Sequence, residues 1–208
     1  EIMPSLVGSE MCIRDRSCRA LLDAIEDGNR ADGINIIALF DHEEIGSSSK
    51  QGAASIMLHD MLRRILRNMD LSENEIDESI YDAMLLSVDV AHALHPNKKE
   101  KMDITNKPVM GKGFCIKQAC SQSYATDAQA IAILCQLCDE KGIPYQRFVN
   151  RSDSRGGSTL GSIAGTLLPV KTVDIGIPIL AMHSACELMG VRDMKALSDC
   201  VTAFFGYH

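Results

Sequence analysis

The chain of 208 residues contains no apolar run of the roughly 18 residues that a membrane-spanning helix needs. Its best run, Ile34 to Phe40, has seven residues including Asn35 and suits a buried strand instead. It also lacks a basic excess: 21 Lys and Arg stand against 28 Asp and Glu, a net charge of −7. A protein that grips phosphate backbones needs a basic surface, so neither nucleic acid nor a membrane is an expected partner. Internal repeats and low-complexity tracts are missing as well. With 46% apolar and 24% charged residues, the composition is that of a folded domain and excludes wholesale disorder.

Nothing near the N-terminus reads as a secretory signal. The segment is short of apolar residues, and Arg14, Arg16 and Arg19 follow late. The chain is long enough to close a core without disulfide staples. Its eight cysteines are therefore expected to stay as thiols in a reducing, cytoplasmic setting, with Cys115, Cys120, Cys186 and Cys200 buried among apolar neighbours. Residues Ser5 to Arg16 show neither helical nor strand period and resemble a translated sequencing adapter. The expected organisation is a non-native leader over 1–16 and part of a catalytic domain over 17–208.

Regular patterning begins at Ser17. Cys18, Leu21, Leu22 and Ile25 give an i, i+3, i+4, i+7 face, which predicts a helix over 17–28 ending at Gly28. Strands are predicted at 34–40, 85–90, 113–117, 145–149 and 170–175. Helices are predicted at 53–69, from the Ser72–Glu75 capping box to about Ala83, at 127–140, and at 193–205. The polar stretch 97–113 reads as a surface loop. Alternating strands and helices predict an α/β fold, a mostly parallel sheet flanked by helices. In such sheets ligands bind beyond the carboxyl ends of the strands.

Three groups of polar residues fall at such places. Asp41-His42-Glu43-Glu44 follows the first predicted strand and precedes the turn Gly46 to Ser49. Adjacent carboxylates repel, so a pair held at a sheet end invites a cation or a shared proton. One could bind a metal while its neighbour faces water; a solvated loop would carry the same residues. Asp89 lies in an apolar strand, where a carboxylate is costly unless paired or metal-bound. His183 follows the apolar run Ile177 to Ala181 and suits either a ligand or a satisfied histidine. Together, Glu, Asp and His at neighbouring strand ends make a hydrolytic metal site with a spare Glu as base. Two other patterns are set aside. Cys135-Gln136-Leu137-Cys138 has no second CxxC, and Gly46 to Lys50 lacks the P-loop spacing.

The stretches ALFDHEEIGS, SVDVAHALHPN, GKGFCIK, SYATDA, NRSDSRGGSTLGSIAG and LAMHSACE resemble, in this order, the catalytic domain of the aspartyl aminopeptidase family of zinc metallopeptidases. The resemblance implies an enzyme that releases N-terminal, mainly acidic, residues from peptides with a free N-terminus. It implies a co-catalytic pair of Zn²⁺ ions, with Mn²⁺ or Co²⁺ as alternatives, and a homo-oligomer, a dodecamer in the family. By that resemblance Glu43 is the general base, Glu44 and His183 bind one zinc, and Asp89 binds the other. Lys117 would face an acidic substrate side chain, Tyr124 would wall the pocket, and His92 and His95 would assist in binding. The Ser154 to Gly161 turn offers backbone N–H groups to substrate, or simply a tight turn.

The chain departs from the family pattern in two places. An upstream His ligand has no counterpart, and the bridging Asp would fall at Ile13. Weak metal binding, little activity and an uncovered sheet edge are therefore expected of this chain. A non-catalytic oligomer subunit of the same fold and a different co-catalytic zinc hydrolase remain the competing readings.

Overall fold

A computed structural model describes residues 7–28, 33–154 and 156–207, and the side chains of 7–10 are not among them. The first six residues of the leader-like stretch, and Arg155 in the Gly/Ser-rich turn, lie outside the described residues.

The sheet is built from β1 (Met84–His92), β2 (Phe114–Gln118), β3 (Tyr145–Val149), β4 (Lys171–Leu180) and β5 (Leu188–Met189). The path runs β1-β4-β2-β3, with β5 paired to β4. β1 and β4 are parallel over nine residue pairs, and β2 and β3 are parallel over five. Short antiparallel ladders join β2 and β5 to β4, so the sheet is mixed but mostly parallel. Helices α1 (Val7–Glu26), α2 (Met57–Arg67), α3 (Glu73–Asp82), α4 (Ala128–Lys141), α5 (Leu160–Ala164) and α6 (Val191–Phe205) flank it.

The two-residue period of the strands separates the two faces. Phe114 and Ile116 of β2, with Val173, Ile175, Ile177 and Ile179 of β4, join one apolar core with residues of α1, α4 and α6. The alternate positions make a polar face. There Ser87 is level with Asp174 and Lys117, and Asp89 is level with Gly176 and Cys115. Gly176 lets β1 and β4 approach: a Cβ there would lie 2.7 Å from the carbonyl carbon of Val90.

Local signals of the sequence reappear in the fold. Ser72 accepts from the Glu75 N–H while Glu75 accepts from the Ser72 N–H, the reciprocal cap that opens α3. Asp127 caps α4 through the N–H groups of Gln129 and Ala130, and Gly142 ends it at φ 66°.

Four expectations are corrected. α1 begins at Val7 and so runs through the stretch read as aperiodic. Its inward face is Ile13, Ser17, Ala20 and Ala24, whereas Leu22 and Ile25 are half exposed and Cys18 is exposed. Small residues let α1 sit close against α6, a choice that apolar periodicity does not register. Residues 34–40 form no ladder, and Ile34, Ile36 and Leu39 are exposed. The segment is fastened by the Asn35 side chain, which donates to the Phe205 carbonyl at 2.8 Å, and by Ile37 packing on the core. β4 continues to Leu180 and absorbs the run that was expected to follow it. Finally, Cys115 and Cys200 are buried, but Cys120 and Cys186 are exposed.

Candidate metal centre

A cleft of about 1000 Å³ opens between residues 33–40 on one side and β1 on the other. Glu43, Glu44, Asp89, His92, Lys117 and His183 line it. Four chain segments bring them there: the turn after residue 40, the carboxyl end of β1, β2, and the turn after β4.

The turns are conformationally costly. His42 has φ 62°, Ser47 59°, Ala181 57° and His183 66°, all in the left-handed region that non-glycine residues rarely adopt. They hold Glu43 and Glu44 in a single 3₁₀ turn and aim His183 back at it. The His183 Nε2 lies 3.2 Å from the Glu44 Oε2. The backbone N–H of His183 donates to Glu187 at 2.7 Å.

Electrostatics mark the same spot. The Glu43 carboxyl is pushed up to about 8, first by loss of water around it and then by the negative charges of Asp89 and Glu44. Partial shielding from water, followed by the nearby charges of Lys117 and His183, holds the His92 imidazole below its ordinary range. A cluster that favours the protonated form of one carboxylate is a cluster short of positive charge.

Lys117 and Tyr124 lie deeper than a substrate-facing pair would. Lys117 is 3% exposed and Tyr124 6%. The Lys117 Nζ donates to Asp89 Oδ2 and to the Val90 carbonyl, both at 2.9 Å, and sits 4.7 Å from the centre of the Tyr124 ring. The Tyr124 hydroxyl accepts from Asn150 at 2.9 Å. His95 is exposed, and its Nδ1 accepts from the Asn97 N–H in a turn of the loop after β1. It is not among the cleft residues. The N–H groups of Thr159 and Gly161 are used internally, on the Ser123 carbonyl and the Ser87 hydroxyl, which favours the tight-turn reading of that segment.

Two acidic residues escaped the sequence reading. Glu187 carries no pattern that would have singled it out. Asp174 sits inside the apolar strand VDIGIPIL and could have been flagged by the argument used for Asp89. It is fully buried, accepts from Thr159 at 2.7 Å and from the Ala125 N–H, and fastens the polar face.

The residues fit a zinc-type cation in kind, being carboxylate oxygen and imidazole nitrogen. Two donors about 2.0–2.1 Å from a tetrahedral zinc stand roughly 3.3 Å apart. The Glu44–His183 separation of 3.2 Å matches that spacing. Among the described residues, no three His, Cys, Asp or Glu side chains converge on one point. The arrangement is thus one donor pair, with Asp89 as a separate single donor.

The family described as Aminopeptidase I zinc metalloprotease (M18) matches residues 14–205. A Probable M18 family aminopeptidase 2 of Clostridium novyi is 46% identical over 174 residues, 84% of this chain and 40% of that protein. A Probable aspartyl aminopeptidase of Ricinus communis is 37% identical over 198 residues, 94% of this chain and 40% of that protein. A chain in the cryo-EM structure of the Ape4 and Nbr1 complex superposes with a TM-score of 0.89 at 33% identity, covering 96% of this chain and 38% of that one. The Saccharomyces cerevisiae mApe1 dodecamer shares the fold, with a TM-score of 0.78 at 24% identity over 95% of this chain and 44% of that one. The chain therefore spans about 40% of the length of the curated relatives it matches. With the match extending over nearly its whole length, the chain belongs to the Aminopeptidase I zinc metalloprotease (M18) family.

Proposed function

We propose that the chain carries the catalytic face of a zinc-dependent aminopeptidase that removes the first, mainly acidic, residue from peptides. The observation that carries this reading is the convergence of Glu43, Glu44, Asp89 and His183 on one cleft from three separate segments. Glu44 and His183 would hold one ion and Asp89 a second. Zinc, when bound, supplies Lewis acidity, polarising the scissile carbonyl and letting water ionise near neutral pH.

The chain's own residues do the rest. Glu43 accepts a proton from the attacking water as its oxygen bonds to the carbonyl carbon. It then returns that proton to the amine nitrogen as the C–N bond breaks. For this its carboxylate must be ionised; burial first, and then the charges of Asp89 and Glu44, oppose that, and the positive charge of ions held by Glu44, His183 and Asp89 would favour it. The free amino group of the substrate finds carboxylates to receive it. His92, at the carboxyl end of β1, lies near enough to assist. An acidic first residue needs a cation facing its side chain; the family resemblance offers Lys117 for that, but its ammonium is already taken by Asp89 and the Val90 carbonyl.

The eight cysteines, all thiols in the structure, support a reducing cytoplasmic location. Among the described residues, no helix is long and apolar enough to cross a membrane. Assembly into a homo-oligomer is part of the same proposal, supported by the dodecameric fold neighbour.

The test uses the product of the full gene, stripped of metal and assayed on Asp-, Glu- and Leu-aminoacyl substrates with added Zn²⁺, Mn²⁺ or Co²⁺. Metal-dependent release of the first residue, absent in Glu43→Gln, is the expected result. Cleavage of N-acetylated peptides would point to another zinc hydrolase. Zinc uptake without any turnover would favour a non-catalytic subunit.

A further inference from the structure

Lys117 presents a puzzle that the proposed function leaves open. It is one of the few buried charges among the described residues, and it stands on β2, which is not a neighbour of β1. β4 lies between them. Lys117 is level with Asp174 on β4, whereas Asp89 is level with Gly176, two residues further along. The lysine side chain therefore crosses β4 diagonally, beside the position where that strand has no side chain. At the far end its ammonium meets two acceptors at once, Asp89 Oδ2 and the Val90 carbonyl, each at 2.9 Å. The Tyr124 ring backs it at 4.7 Å. Tyr124 is itself fixed by Asn150 and packs against Phe148. Each contact of the ammonium is supplied by the fold, and the Lys117 side chain itself is 4% exposed.

We propose that Lys117 is a positioning residue: it clamps Asp89 by one oxygen, Oδ2, and leaves Oδ1 as the oxygen a cation can take. The role rests on the zinc reading of the site and deepens it. A carboxylate that offers both oxygens can bind a cation with one or two and can rotate between the two modes. One whose second oxygen is tied to a buried ammonium presents a single donor in a fixed direction. To meet a substrate carboxylate, Lys117 would have to give up Asp89 and the Val90 carbonyl together. Outer partners of metal ligands typically change affinity by roughly 10–100-fold when removed.

The test is a double-mutant cycle on zinc affinity, read by calorimetry on metal-stripped full-length protein. The four proteins are wild type, Lys117→Met, Asp89→Asn and the double variant. Lys117→Met is expected to weaken zinc binding by at least about tenfold. The double variant should then bind no more weakly than Asp89→Asn alone, because the lysine acts through that aspartate. Lys117→Gln, whose amide can still donate to Oδ2, should recover part of the loss. Should the Met variant not fold, the cycle is run with Lys117→Gln, and additive effects there overturn the proposal equally. Wild-type zinc affinity in Lys117→Met, with loss only of the discrimination between Asp- and Leu-peptides, would assign the lysine to the substrate and overturn the role argued here. A wild type that takes up no zinc overturns the zinc reading itself, and this role with it.

Discussion

The imidazole of His183 stands 3.2 Å from the carboxylate of Glu44, joining the turn after β4 to the turn after residue 40. Neither residue is buried; their side chains are 60% and 37% exposed. An exposed pair of this kind contributes little to stability, typically about 0–1 kcal/mol. Under the proposed function, its role is to bind an ion rather than to hold the two turns together.

That distinction gives the first prediction. His183→Ala and Glu44→Gln should each leave the thermal midpoint nearly unchanged. Both should weaken zinc binding by more than the roughly 10–100-fold typical of outer partners. Calorimetric titration of the metal-stripped protein measures the second effect and a melting curve the first. Undiminished zinc uptake in both variants would remove this pair from the metal site.

Asp193 is expected to matter to stability alone. It is fully buried at the start of α6, and its two oxygens accept from the N–H groups of Gly111 and Gly113 at 2.6 and 2.7 Å. Asp193→Ala strands both donors, at about 1–3 kcal/mol each. Urea unfolding should show a loss of about 2 kcal/mol or more, with the loop before β2 loosened. A loss under about 1 kcal/mol would mean that water replaces the carboxylate.

Two glycines should respond in opposite ways. Gly113 has φ 103°, and a Cβ there would lie 2.1 Å from the Pro144 carbonyl oxygen. Gly113→Ala should cost at least about 1–3 kcal/mol from backbone strain, before the clash is counted. Gly157 has open space around it and no positive φ, so Gly157→Ala should fall within about 0.5 kcal/mol of wild type. Equal midpoints for the two variants in urea would contradict this account.

The surface pairing of α2 with α3 should appear in the acid limb of stability. Arg63 and Arg67 both donate to Glu73 and hold its carboxyl down at about 2, against an ordinary 4.5. A carboxyl lowered in the folded state binds fewer protons there than in the unfolded chain. Its contribution is therefore full above about pH 4.5 and is lost as pH falls toward 2. Melting curves of wild type and Glu73→Gln should separate above pH 4.5, wild type higher, and converge near pH 2. Because the group is exposed, salt should narrow the gap. Curves that stay parallel down to pH 2 would show that the pair contributes nothing.

What could be read in advance followed the range of the interaction. The Ser72–Glu75 cap involves residues three positions apart, so the sequence carries it complete. Asp89 was legible because a carboxylate in an apolar strand must be compensated. What compensates it was not legible, since Lys117 reads equally well as a solvated strand-end lysine. The inward face of α1 was misjudged because Ala20 and Ala24 are chosen by the closeness of α6 rather than by their own hydrophobicity.

The sequence by itself singled out the candidate residues Glu43, Glu44, Asp89 and His183, and it carried the alternation of strands and helices. Residue type and two-residue or 3.6-residue periods are local properties, and they suffice for that. Only the tertiary structure decided which segments pair. A ladder needs a second strand, and the apolar run 34–40 has none, so it flanks the cleft instead of entering the sheet. Only the tertiary structure, too, placed Gly176 between Asp89 and Lys117 and so let a buried ammonium reach across the sheet. Register between distant strands is set by the packing of the whole core, and no short stretch of sequence contains it.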